Sequence, residues 1–449
     1  MNSIFWFRQD LRTFDNKWLI LAIKNSRNLL PIFILDKNLI PDFWNLEDQK
    51  FLFLKEMLLN LDSELQKIWW NLTIFHDFPE KIFPEICEKF SIKKIFTNKS
   101  YWDYWKKRDE KIKNFCEKSW IEFFQEKDFF LTEPDEIPQR KVFSPFYKLW
   151  QKNILEKNNN WEIFLEESRN FSQIKNNFCA KNFLDEKISW EKHPFFTLDF
   201  WKSRMKNFDF KNFSEIRNDL DKDWTSRLAP YLRFWVFSVR EIYLKVKDIS
   251  ETYVSELAWR EFWNHIAFYF PNTKNEEFLE KRRFIEWENN EEKFEKWCNW
   301  ETWYPVVDAA MKQLLETNWM HWRARMVVAS FLTKDLLIDW KWWEKFFKKH
   351  LLDYDENVNF WNWQWSASVW ADPKPLRIFS PILQSEKFDS EWKFIKKYLP
   401  ELEFENIKAI HNPLEKDLDY IKTIVDHRIA QRIAKEEYKK SQERFENQK

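Results

Sequence analysis

A chain of 449 residues with 30 tryptophans and no glycine lacks the one residue that takes up positive φ without a steric penalty. Helix ends, tight turns and close backbone approaches depend on that freedom. At average usage of about 7%, a protein of this length would hold roughly 31 glycines. One cause accounts for both the deficit and the tryptophan excess: a codon meant as glycine read as tryptophan, as when UGA of one genetic code is decoded with another. The abundance of Phe, Ile, Asn and Lys suits the AT-rich gene in which such a reassignment occurs. Trp69-Trp70 before Asn71 falls in a polar stretch that suits a loop and not two adjacent indoles. Misplaced tryptophans are therefore expected at positive φ or bulging from turns, and relaxed helical positions with packed side chains would count against the idea.

Length allows two domains with full cores. No run of eighteen apolar residues occurs, and Ile4-Phe5-Trp6-Phe7 is cut short by Arg8, Asp10 and Arg12, so neither a membrane span nor a secretory leader is expected. The expectation is a cytoplasmic, monomeric enzyme. Cys87, Cys116, Cys179 and Cys298 stand far apart with no histidine at zinc spacing, which reads as reduced thiols and no metal site. Lys plus Arg equals Asp plus Glu at 73 each, which argues against indiscriminate coating of nucleic acid but permits a local basic face.

Short β-rich runs at 3–7, 30–35, 72–75, 94–97 and 121–124 alternate with amphipathic segments such as 46–68 and 105–118. This βαβ alternation predicts a Rossmann-like α/β domain with a parallel sheet over residues 1–130. Residues 131–205 read as an inter-domain linker with some helix. From about 206 to 449 strands vanish, and three-to-four spacing at 255–270, 304–316, 322–337, 342–352 and 419–440 predicts an all-α domain.

Chemistry concentrates in that second half. Glu256, Trp259, Arg260 and Trp263 share one side of a helix. A carboxylate beside indoles suits a wall for a base, although this helix alone reads equally as a half-buried packing face. His321-Trp322-Arg323-Ala324-Arg325-Met326 sets two arginines on a helix start. Asp353-Tyr354-Asp355 followed by Asn359-Phe360-Trp361-Asn362-Trp363-Gln364-Trp365 is too dense in carboxylates, amides and indoles for ordinary core, and suits flat heterocycles such as a flavin or nucleobases.

In order and wording, several blocks resemble the DNA photolyase/cryptochrome family: 5–12 with Asp15-Asn16, 225–234, 256–262, Tyr304-Pro305 with 308–311, 326–340, Arg377-Ile378-Phe379 and Val425-Asp426-His427. The resemblance spans nearly the whole chain and is weakest between about 130 and 205. It implies an all-α FAD-binding domain and light-driven repair of cyclobutane pyrimidine dimers. The residue before Thr225, the one after Phe234, and Trp300, Trp303, Trp343, Trp361 and Trp370 match glycine positions of the family. Trp6, Trp259, Trp287, Trp297, Trp340, Trp363 and Trp365 match tryptophans.

The resemblance further implies a cofactor site of Phe213, Tyr253, Asp353, Tyr354, Asp355 and Asn359, with Thr225, Ser226, Arg227, Leu228 and Ala229 starting a helix that holds the FAD pyrophosphate and Arg325 pairing with Asp353. Asn359 would face the reactive flavin nitrogen. Glu256, protonated through desolvation, would hydrogen-bond the lesion, which Trp259, Arg260, Trp322, Arg323, Met326 and Trp365 would line, with Arg217 on the DNA backbone. Trp322 departs from the family, which commonly has asparagine or glycine there. Trp363, Trp340 and Trp287 match an electron relay from flavin to surface, against the simpler reading of buried core indoles. A second, antenna chromophore is implied for the sheet domain, folate or deazaflavin. The rival is a cryptochrome-type photoreceptor, against which Asn359, Met326 and the chain's end at residue 449 speak. An enzyme for the (6-4) photoproduct would carry a second histidine beside His321, and a nucleotide-binding structural protein would leave the helical blocks without a purpose.

Overall fold

The computed structural model describes residues 1–39, 49–68, 70–169, 196–222, 224–371, 376–402, 407–414 and 423–448. Trp69, Cys179 and the first residues of the helices expected at 46–68 and 419–440 lie outside them. Two compact units form. The first is Met1–Pro138, Tyr147–Phe208 and Arg227–Glu261, and the second is Gln139–Phe146, Asp209–Ser226 and Phe262–Lys449.

The first unit is built on a five-stranded sheet of β1 (Asn2–Phe7), β2 (Asn28–Leu35), β3 (Thr73–His76), β4 (Ile92–Asn98) and β5 (Glu122–Glu126). Every pairing is parallel, and the order is β3-β2-β1-β4-β5. Helices α1 (Lys17–Lys24), α2 (Gln49–Gln66), α3 (Pro79–Lys89) and α4 (Asp103–Lys118) make the crossovers. Five of six residues in β1 and seven of eight in β2 are buried, the near-continuous apolar run of strands covered on both faces. Ile4, Trp6, Leu30, Ile32 and Ile34 pack with Phe83 and Ile86 of α3 and with Ile112 and Cys116 of α4. Strand order reverses between β1 and β4, and ligands of open α/β sheets sit at the carboxyl ends of such strands. Just past β1, buried Asp10 accepts from the Arg8 amide at 2.9 Å, Asn16 Nδ2 at 3.0 Å and Asn98 Nδ2 at 2.7 Å. Burial pushes its carboxyl above the ordinary range.

Helices then take over: α5 (Phe143–Arg169), α6 (Leu198–Asn207), α7 (Phe213–Ile216), α8 (Ala229–Arg233), α9 (Val239–Val246) and α10 (Glu251–Tyr269). Arg240 of α9 is tied within the first unit to Asp15 and Asp128, each at 2.8 Å. The second unit continues with α11 (Glu291–Cys298), α12 (Pro305–Thr317), α13 (Trp322–Ser330), α14 (Trp340–His350), α15 (Glu356–Ser366), α16 (Pro381–Phe388), α17 (Lys393–Tyr398), α18 (Ile407–His411) and α19 (His427–Glu446). Among the described residues no strand follows β5. No described helix is long and apolar enough to cross a membrane.

Among the described residues five tryptophans take left-handed φ: Trp120 at 56°, Trp235 at 52°, Trp300 at 55°, Trp303 at 61° and Trp392 at 48°. Three of the seven glycine-matched positions, 235, 300 and 303, thus meet the expectation. Trp343 and Trp361 do not, for they lie fully buried within α14 and α15. A helix-interior glycine serves close packing and not φ, and the indole at 343 is correspondingly crowded. Its ring centroid is 3.3 Å from that of Trp363, shorter than the 4.5–7 Å of favourable aromatic pairs.

Candidate functional site

In the second unit the site residues come from three stretches. Asp355 is the N-cap of α15 and accepts from the Asn357 amide at 3.1 Å and that of Val358 at 3.3 Å, which satisfies free N–H groups of the first turn. The cap sets the phase of α15 and turns Asn357 and Asn359 inward, where both are buried. Asn357 donates to Asn264 at 3.0 Å. Asn359 Nδ2 has no hydrogen-bond partner among the described residues and is buried, so it fits a ligand that brings an acceptor, as a flavin ring does. Arg325 Nη2 donates to both carboxylate oxygens of Asp353, at 2.8 and 3.1 Å, while its Nε donates to the Met320 carbonyl at 2.9 Å, so the ion pair orients the carboxylate. The Tyr354 hydroxyl donates to Glu344.

At the start of α13, two guanidinium groups lie over the Trp322 indole: Arg217 at 4.4 Å and Arg323 at 4.2 Å from the ring centroid. Its Nε1 donates to the Arg217 carbonyl at 2.7 Å. Arg323 is held by Asn218 at 2.6 Å and touches Met326 Sδ at 3.8 Å. Burial, then the neighbouring Arg217, pulls its guanidinium down to about 10. Trp365 is capped by the Arg377 guanidinium at 5.2 Å from its ring centroid. This is a cationic, aromatic surface suited to phosphates and bases. Phe213 is buried on α7, and Arg217 follows that helix.

The first unit carries Tyr253, Glu256, Trp259 and Arg260 on α10, Tyr253 buried and the others half-buried. Arg260 lies over the rings of Trp235 at 5.0 Å and Phe130 at 5.7 Å. The next residue, Glu261, accepts from Leu131 N and Trp150 Nε1, each at 2.6 Å, and from Thr132 N at 3.0 Å. Burial pushes its carboxyl up to about 7. The expected helix start at Thr225 is corrected. Thr225, Ser226, Arg227 and Leu228 precede α8, which begins at Ala229, and Arg227 has φ 51°. A helix from 225 would bring the Pro230 ring against the carbonyl of Ser226, four residues back.

Of the three expected relay tryptophans, Trp340 and Trp363 are buried and Trp287 is half-buried. Trp340 stacks edge-on to Phe360 at 4.8 Å and Trp287 to Tyr438 at 6.4 Å. Sequence reasoning missed Asn218, Asn264, Glu344 and Glu277. The first lies beside Arg217 and could have been found by asking what holds Arg323, whereas Glu277 approaches Trp340 from 63 residues away and leaves no local signal.

A parallel α/β unit followed by a helical unit with amides, carboxylates and indoles set for a flat cofactor defines a flavin-binding enzyme of two-unit build. The chain belongs to the DNA photolyase family: the model described as DNA photolyase matches residues 3–162, and that described as FAD binding domain of DNA photolyase matches residues 253–440. A deoxyribodipyrimidine photo-lyase of Alkalihalophilus pseudofirmus is 32% identical, the match covering 94% of each chain. The structure is similar to an archaeal photolyase from Sulfolobus tokodaii with two FAD molecules, at 32% identity and TM-score 0.82, covering 98% of this chain and all of that one. It is also similar to a bacterial class III photolyase from Agrobacterium tumefaciens, at 28% identity and TM-score 0.81, covering 98% of each.

Proposed function

We propose that this protein repairs cyclobutane pyrimidine dimers in ultraviolet-damaged DNA, using light and bound FAD. The observations that carry the reading are the unsatisfied, buried amide of Asn359 and the Asp353–Arg325 pair, in a chain of which 94% is matched by a deoxyribodipyrimidine photo-lyase. Reduced FAD, held by these residues, would supply light-driven one-electron chemistry toward the dimer with no net change in redox state. The chain's own groups bind and orient. Asp353, fixed by Arg325, and Asp355 take cofactor hydrogen-bond donors, Phe213 and Tyr253 cover it, and residues 225–229 lie along its pyrophosphate. Asn359 hydrogen-bonds the ring without being able to protonate it.

The dimer leaves the duplex to reach the site, and its weakened pairing makes eversion cheaper than for a sound base. Trp259 and Trp365 flank it, Met326 fills the apolar side, and Glu256 hydrogen-bonds a pyrimidine carbonyl that gains charge with the electron. Arg217, Arg323 and Arg260 serve phosphates, with Trp322 beside them. Trp363, Trp340 and Trp287 return oxidised cofactor to its working state. Residues 1–130 hold the antenna chromophore, for which the reversal of strand order between β1 and β4 supplies a crevice. A folate and a deazaflavin remain its two candidate chemistries, and residues 206–449 carry catalysis in a cytoplasmic monomer. DNA bearing one thymine dimer tests the proposal: restoration under blue light and none in the dark is expected, and no light-dependent repair by FAD-loaded protein sinks it. Glu256→Ala is expected to lower repair yield more than lesion binding, and equal losses reject the role given to Glu256.

A further inference from the structure

In the second unit five residues, 351–355, join α14 to α15 and carry both carboxylates assigned to the cofactor, Asp353 and Asp355. A short connection that is fixed beforehand binds more tightly, because no ordering has to accompany the ligand. The far end is fixed by the cap on α15, where Asp355 receives the Asn357 and Val358 amides, and the Tyr354 hydroxyl is tied to Glu344. The near end is fixed from α12. Asn318, the residue after that helix, is left-handed at φ 53° and ψ 24°, and its amide closes on Leu314 O at 2.8 Å. Its side-chain Nδ2 donates to the His350 carbonyl at 3.1 Å, and its own carbonyl accepts from Leu352 N at 2.9 Å. His350 ends α14, so the first of these bonds satisfies a carbonyl that a helix leaves without an internal partner.

Two residues further on, the Met320 carbonyl accepts from Arg325 Nε at 2.9 Å, and Arg325 Nη2 reaches the Asp353 carboxylate at 2.8 and 3.1 Å. The turn 318–320 and the segment 350–353 are thus laced at two levels, Asn318 to residues 350 and 352, and Met320 through Arg325 to Asp353. The turn itself is held by Thr317 Oγ1, which donates to Trp319 O at 3.0 Å, and by Gln313 Oε1, which accepts from His321 N at 3.0 Å. Asparagine suits position 318 because it enters the left-handed region more readily than other residues with a side chain, and it brings an amide donor there. Glycine would keep the turn and lose the donor. We propose that Asn318 is a positioning residue for the cofactor carboxylate: by holding His350 and Leu352 it sets where Asp353 stands before FAD arrives, while Arg325 sets which way the carboxylate points. It acts through Asp353 and not by contact with the cofactor. The inference rests on the cofactor role of Asp353 proposed above.

Titration of the full-length apoprotein with FAD, followed by flavin fluorescence, tests this in four proteins: the parent, Asn318→Gly, Asp353→Ala and the double variant. Asn318→Gly keeps the left-handed turn and is expected to weaken FAD binding about fivefold, the loss of one neutral hydrogen bond. In the Asp353→Ala background the same change should alter the affinity by less than about twofold, since the carboxylate it positions is gone. A merely structural role would weaken binding equally in both backgrounds, and that result overturns the proposal. Asp353→Ala with weakened binding, beside an Asn318→Gly protein with the parent's affinity, overturns this inference alone. Asp353→Ala with the parent's affinity overturns the cofactor role of Asp353 and this inference with it. If Asn318→Gly does not fold, Asn318→Asp decides, because ionised aspartate tolerates the left-handed conformation and cannot donate to His350. Unchanged FAD affinity in that variant overturns the proposal.

Discussion

Trp120, Trp235 and Trp300 share one local geometry. Each is the left-handed residue just past a helix: Trp120 N bonds to Glu117 O and Ile121 N to Cys116 O after α4, Trp235 N to Leu232 O and Val236 N to Tyr231 O after α8, and Trp300 N to Trp297 O and Glu301 N to Lys296 O after α11. This paired closure is the one that glycine usually completes. A residue with a Cβ gives up about 1–2 kcal/mol in the left-handed region. Trp120 isolates that cost because its side chain is 91% exposed and has little packing to lose. Trp120→Gly is therefore expected to stabilise the protein by about 1 kcal/mol in denaturant unfolding, and a loss of stability would show that the indole is at home there. Trp120 has no family motif around it, so only the backbone singles it out. At the cofactor residues the pair is legible and its geometry is not: Asp353 and Arg325 are 28 positions apart in the chain, and only folding brings Nη2 onto both carboxylate oxygens. Asp353→Asn should leave Arg325 partly buried without its counter-charge and release FAD, measured as the flavin-to-protein absorbance ratio of the purified protein. Full FAD content in that variant would remove Asp353 from the cofactor site.

Elements were readable where one physical signal dominated. The five β-rich runs coincide with β1 to β5 to within about two residues, because a doubly covered strand is a plain apolar run between breakers. The order β3-β2-β1-β4-β5 is not written in any run, since neighbours β1 and β4 are far apart in sequence. The helix expected over 322–337 is α13 to Ser330 and then a π-turn, Phe331–Asp335, in which Thr333 Oγ1 donates back to Ala329 O at 2.8 Å. Apolar periodicity does not register such a widened turn. Helix α12 illustrates what charge adds. Its Asp308 accepts from Thr302 N at 2.9 Å, Thr302 Oγ1 at 2.6 Å and Trp303 N at 2.8 Å, yet burial pushes its carboxyl from 3.8 up to about 7. Between those two values the folded state keeps a proton that the unfolded state has released. Stability from this group is thus present below about pH 4 and falls as pH rises toward 7, by a few kcal/mol at most. Asp308→Asn, which does not titrate, should flatten the dependence of unfolding free energy on pH across that window. The same slope in parent and variant would mean that Asp308 is already ionised in the fold.

For the molecule as a whole, the α/β-then-α division was legible from periodicity alone, while the photolyase chemistry was legible only because blocks of residues resemble a family. Charge is the global property that bears most on DNA. With 73 basic and 73 acidic side chains the protein has no net field to draw it onto the duplex, so affinity must come from places where the balance is broken locally. The described arginines differ in this respect. Arg325 is neutralised by Asp353 and Arg240 by Asp15 and Asp128, but Arg323 has the neutral Asn218 as its polar partner and Arg217 stacks on Trp322. Arg323 therefore keeps its charge available for a phosphate, and the family resemblance assigns Arg217 to the DNA backbone beside it. Binding to dimer-containing duplex is expected to weaken with salt, and Arg217→Ala and Arg323→Ala should each reduce the slope of log K against log salt by about 0.9, the loss of one released counterion. Arg240→Ala would instead lower folding stability, because it leaves two buried carboxylates without their cation. An unaltered salt slope in both the Arg217 and Arg323 variants, with lesion affinity reduced all the same, would show that these guanidinium groups shape the pocket through Trp322 and touch no phosphate.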